Sequence, residues 1–112
     1  MTADVYAAVH AAANWLDEHN GAGHTELMAR ILKVTEEAGE VAAAWIGATG
    51  QNPRKGVTHT YGDVAAELAD VAFTALVAID SLGFDPADVV AACAAKVTGR
   101  LDVPAMSGGT HS

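Results

Sequence analysis

The chain has 112 residues, enough for one domain with a real core but not for two, and 51% of them are apolar, alanine prominent among them and aromatics few. A formal net charge of −8 with only six Lys and Arg argues against a sequence-independent grip on DNA or RNA, which depends on clustered cations. The one cysteine, Cys93, rules out an intrachain disulfide and a cysteine-rich zinc site.

Helix one is expected from about Ala3 to His19, where Val5, Tyr6, Val9, Ala13 and Leu16 recur at helical spacing before "NGAG". Helix two is expected to start after Thr25 as N-cap and to run to about Ala48, where "TGQNPRKG" breaks the pattern. Helix three covers Tyr61 to Leu82 with Gly83 ending it, and its apolar residues go nearly all the way round, the pattern of an enclosed helix. Helix four opens at "DPADVV", with Asp85 as cap and Pro86 in the first turn. Residues 102–112, "DVPAMSGGTHS", lack apolar periodicity and are expected to form a mobile tail after a single domain over 1–101.

These elements predict an all-α fold, an antiparallel four-helix bundle whose Ala-rich surfaces permit close approach and whose third helix is covered partly by a second subunit. The longest apolar stretch, 71–79, is far short of a membrane span, and "MTADVYAAVH" has no basic segment before an apolar run. The expectation is a soluble cytoplasmic protein with neither membrane nor nucleic acid as partner.

The sharpest feature is "KVTEEAGEVAAAW", residues 33–45. At about 100° per residue, Glu36, Glu37 and Glu40 fall within an arc of about 100°, with Lys33 on the same side. Repulsion between such neighbours costs stability unless water, a cation or a basic partner offsets it. A solvated face is the ordinary explanation for one such helix. Helix three adds Glu67 and Asp70 on one stripe, shared with Asp63 and Thr74, while apolar side chains fill the rest. If helices two and three are antiparallel neighbours, Glu37, Glu40, Glu67 and Asp70 oppose one another around one pocket, and oxygen-only ligation suits magnesium, with manganese as an alternative, better than zinc. No Glu is followed three positions later by His, as di-iron bundles require, and the five histidines form no helical i, i+4 pair. His24 and His59 are the two that would lie near a ligand.

The pattern "EEAGE" followed after 26 residues by "ELAD" resembles the EExxE and ExxD signature of the MazG-like all-α nucleoside triphosphate pyrophosphohydrolases, over about Trp15 to Arg100 and most closely the small single-domain members. The resemblance implies hydrolysis of a nucleoside triphosphate between its α- and β-phosphates, with magnesium as cofactor and a homodimer or homotetramer as the unit. It matches Glu37, Glu40, Glu67 and Asp70 to the metal-binding carboxylates and Glu36 to the leading glutamate. Glu36 or one of the ligands would take the proton of the attacking water. Candidate phosphate contacts are Lys33, Arg54 and Lys55 in "NPRKG", and Lys96 with Arg100 on helix four, the last two favoured by the resemblance. Each has a structural alternative: an i, i+4 pair for Lys33, solvation for the loop, and complementing a helix C-terminus for Lys96 and Arg100. Trp15 is a candidate for stacking on the base or for a subunit interface, and Trp45 is expected in the core. The alternative function is a non-catalytic acidic helical module that binds a basic partner.

Overall fold

The computed structural model describes residues 4–101 and is all-helical, with α1 Val5–Asn20, α2 His24–Thr49, α3 Tyr61–Ser81 and α4 Pro86–Leu101. The proposed tail, 102–112, lies outside the described residues.

Local chemistry sets each boundary. Asp4 caps α1, its carboxylate accepting from the backbone N–H groups of Tyr6 at 3.1 Å and Ala7 at 3.2 Å. Helix α2 begins before Thr25, not after it. Its N-cap is Gly23, whose carbonyl accepts from Leu27 N–H at 3.0 Å, so Thr25 sits inside the first turn and caps nothing. The other end of α2 is closed by Gly50 at φ 66°, a left-handed turn that a side chain would strain. Thr60 and Asp63 form a capping box on α3: Asp63 N–H donates to Thr60 Oγ1 at 3.1 Å and Thr60 N–H donates to the Asp63 carboxylate at 2.9 Å. Asp85 caps α4 as expected, its carboxylate accepting from Ala87 N–H at 2.9 Å.

Helices α2 and α3 form an antiparallel hairpin. On α2 the positions turned inward are Leu27, Arg30, Val34, Glu37, Val41, Ala44 and Ala48, and on α3 they are Val64, Glu67, Val71, Thr74, Ala78 and Ser81. Both series step by three and four residues, the spacing of a coiled-coil seam. The register is fixed at both ends: Arg30 donates to Ser81 Oγ at 3.1 Å, and the Trp45 and Tyr61 rings stack with centroids 5.7 Å apart. Trp45 is therefore a lid over the hairpin's end, half exposed, and not the core residue its sequence position suggested.

Helix α1 packs on the C-terminal half of α3, where Val9, Ala13 and Val77 form a small core extended by Ala12, Leu16, Phe73 and Leu76. Enclosure of α3 is confined to that half; in its first three turns only Val64, Glu67 and Val71 are even partly buried, and Leu68 is 53% exposed. Along α4 only Pro86 is buried, so within one chain the fourth helix does not complete a bundle. No helix among the described residues is long and apolar enough to cross a membrane.

Candidate metal centre and adjoining cleft

At the middle of the α2–α3 seam, carboxylates occupy inward positions on both helices. Glu37 and Glu67 are half-buried and Asp70 is exposed, and one oxygen of each lies within 4.8 Å of the others. Desolvation, followed by the negative charges of Asp70, Glu40 and Glu37, pushes the Glu67 carboxyl above its ordinary range, against a smaller opposing effect of His59. Three oxygen donors from two helices, whose mutual repulsion Lys33 beside Glu37 and the His59 effect on Glu67 offset only in part, form a donor set suited to a hard divalent cation.

Of the four carboxylates expected to converge, the structure brings three together. Glu40 is exposed and stands beside them, near enough to act on Glu67. Glu36 is turned outward and pairs with Lys33, whose ammonium also lies 3.6 Å from Glu37. The sequence places all three α2 glutamates on one side; in the structure Glu37 belongs to the inward series, while Glu36 and Glu40 are exposed.

The expected cations are dispersed. Lys33 stands at the site, but Arg54 and Lys55 are exposed in the turn organised by Asn52, whose side-chain oxygen accepts from Arg54 N–H at 3.1 Å and whose carbonyl accepts from Lys55 N–H at 3.1 Å. Lys96 and Arg100 lie on exposed α4. None of these four forms an ion pair among the described residues.

The 51–60 loop returns to α2 through Gly47. Thr58 N–H donates to the Gly47 carbonyl at 2.9 Å, and a Cβ at Gly47 would fall 2.1 Å from His59 Nδ1 and 2.5 Å from Thr58 Oγ1. The missing side chain leaves room for the His59 ring against α2. His24, by contrast, is exposed at the start of α2.

No family model matches the chain, and no curated protein or solved structure matches it significantly. The chemistry of the site rests on its own geometry.

One helical turn from the carboxylates, a cleft of about 570 Å³ opens between α1, α2 and α3. Lys33 and Thr74 line its near edge, each four residues from a member of the triad, so cleft and triad lie about 6 Å apart along the helices. Trp15, Leu16, Phe73 and Val77 supply apolar walls. Trp15 is 57% exposed but oriented, its ring stacked on His19 at 3.9 Å. At the far end lies Arg30, buried at 7% exposure, which donates from Nε to Glu26 at 2.9 Å, from one terminal nitrogen to Asp17 at 2.8 Å and Ser81 at 3.1 Å, and from the other to the Gly21 carbonyl at 3.0 Å. Hydrogen bonds from Arg30 and then Asn20 hold the Glu26 carboxyl below its ordinary range. Sequence reading did not single out Arg30. The signal was available: it is the one cation on the inward series of α2, three residues after Leu27 and four before Val34, where a buried charge demands partners.

Proposed function

We propose that this chain is a cytoplasmic, magnesium-dependent nucleoside triphosphate pyrophosphohydrolase that adds water between the α- and β-phosphates, giving a monophosphate and pyrophosphate, with manganese able to replace magnesium. The observation carrying this reading is the convergence of Glu37, Glu67 and Asp70 from two helices on one point beside an aromatic cleft. The "EEAGE" and "ELAD" pairing, with its resemblance to MazG-like enzymes, supports the same chemistry.

The bound cation would neutralise the triphosphate and acidify or orient the attacking water. Glu37, Glu67 and Asp70 would hold it, and Glu40, exposed beside Glu67, is better placed than outward-facing Glu36 to accept the proton of that water. Lys33, now engaged by Glu36 and Glu37, turns to a phosphate when one arrives. Trp15 and Phe73 receive the base in the cleft.

The unit is a homodimer or homotetramer that completes the bundle. Among the described residues the buried hydrophobic core is just Val9, Ala13, Ala44, Val77 and Ala78, with Pro86 buried at the start of α4, while Ile31, Leu32 and Ile46 on α2 and Val97 and Leu101 on α4 are all more than 40% exposed. Such a surface on a chain this small needs cover. In that assembly Lys96 and Arg100 gain a site to serve.

The deciding experiment is a screen of common and modified nucleoside triphosphates for pyrophosphate release under magnesium and manganese, alongside light scattering for mass. Glu37→Gln and Asp70→Asn should each abolish release with helical content unchanged. Silence of the wild-type protein toward every triphosphate, with no thermal response to either metal, would favour the non-catalytic acidic module.

A further inference from the structure

The polar end of the cleft has a pattern of its own. Glu26 Oε2 accepts from both Asn20 Nδ2 at 3.2 Å and Arg30 Nε at 2.9 Å, leaving Oε1 with no hydrogen-bond partner among the described residues. Arg30 spends four of its five N–H groups on Glu26, Asp17, Ser81 and Gly21. Asn20 Nδ2 likewise keeps one N–H. An unpaired carboxylate acceptor thus stands beside unpaired N–H donors, at the end of a slot walled by Trp15 and Phe73.

We propose that this cleft binds an aromatic heterocycle through an exocyclic amine flanked by an unprotonated ring nitrogen, the edge shared by cytosine and adenine, with Glu26 accepting from the amine and Asn20 donating to the ring nitrogen. The identification of the base class rests on the hydrolase reading above, in which the cleft receives the base. Uracil and hypoxanthine present a carbonyl and an N–H at the same places. Against them a carbonyl oxygen would face the Glu26 carboxylate, and an N–H would face a donor. Glu26 has no proton to offer that carbonyl, because Arg30 and Asn20 keep it ionised. Mispairing of polar groups away from bulk water lets a site reject a near-isosteric ligand, and with Glu26 half-buried and Asn20 exposed the penalty falls mainly at Glu26. Ring size is left free by a cleft of this volume, so the discrimination is between amine and carbonyl, not between pyrimidine and purine.

The test compares nucleosides, which carry no phosphate and need no metal. Binding of cytidine against uridine, and of adenosine against inosine, is measured by calorimetry or NMR titration on the whole chain. The amine-bearing member of each pair should bind at least about tenfold tighter, the penalty of one mispaired polar contact. Glu26→Gln, whose amide can donate to a carbonyl, should erase or reverse that preference, and Asn20→Ala should reduce it several-fold without touching the Arg30 contacts. Equal affinity within each pair for the wild-type protein, or no binding of any nucleoside, overturns the proposal even if Glu26→Gln fails to fold. Preference for cytidine and adenosine without pyrophosphate release from their triphosphates keeps this assignment and overturns the hydrolase reading. Hydrolysis of all triphosphates regardless of the amine does the opposite.

Discussion

Replacing Arg30 by methionine tests how three helices are tied together at one end of the cleft. The guanidinium links the end of α1 (Asp17 and Gly21), the start of α2 (Glu26) and the end of α3 (Ser81). Methionine keeps most of the aliphatic stem, so the packing loss is small and the hydrogen bonds dominate. The two bonds to the neutral partners Gly21 and Ser81 are worth about 1 kcal/mol each in net terms. The Asp17 pair, on a half-exposed carboxylate, adds about 0–1 kcal/mol. The expected destabilisation is about 2–3 kcal/mol, a fall in Tm of roughly 10–20 °C for a domain of this size. Urea and thermal unfolding followed by circular dichroism, at one protein concentration because assembly would shift both curves, read this directly. Arg30→Lys, which keeps the charge but loses the fork, should recover part of the loss. A methionine variant within about 0.5 kcal/mol of wild type, the scatter of ordinary surface substitutions, would refute the idea that this residue joins the helices.

Gly47→Ala should cost about 1–3 kcal/mol, since the new methyl meets His59 and Thr58 and the loop must lift from α2; chemical unfolding reads the cost, and faster amide exchange at Thr58 reads the displacement. Magnesium at about one hundred times its Kd should stabilise the wild-type protein by about 2.7 kcal/mol, seen as a rise in Tm that Glu37→Gln and Asp70→Asn abolish. Glu26 and Asp63 titrate below their ordinary values of 4.5 and 3.8. The unfolded chain therefore binds more protons than the native one in this range, and their stabilisation is complete above those values and lost as pH falls through the lower native ones. Asp63→Asn should accordingly flatten the acid limb of a stability–pH profile, and an unchanged limb would contradict the capping-box account.

The fold was legible where local chemistry is unambiguous. Pro86 after Asp85, and Gly83 after an apolar run, mark their boundaries with mechanisms that no tertiary contact overrides. Thr25 misled because a competent cap residue was available, yet the chain enters the helix two residues earlier, through Gly23. The carboxylate cluster was legible as a pairing of two motifs, but not its membership. Positions 36, 37 and 40 share an arc, and only the direction of α3 decides which of them faces inward. The cleft was hidden for a related reason: Trp15, Arg30 and Thr74 come from three helices, and no spacing within one helix reports their meeting. The exposure of α4 was also unreadable, since its amphipathic pattern states that a face wants cover without stating which chain provides it.

The α2–α3 seam is secured at its two ends and burdened in between. Arg30 ties one end, the Trp45–Tyr61 stack and the Gly47 contact tie the other, and Glu37 and Glu67 sit where a zipper would place leucine. A hairpin built this way concentrates its favourable contacts at the extremities and leaves like-charged side chains at its centre. A cation settling at that centre would relieve the one unfavourable stretch of the seam, so its capture would strengthen the pairing of the two long helices where they are least secured.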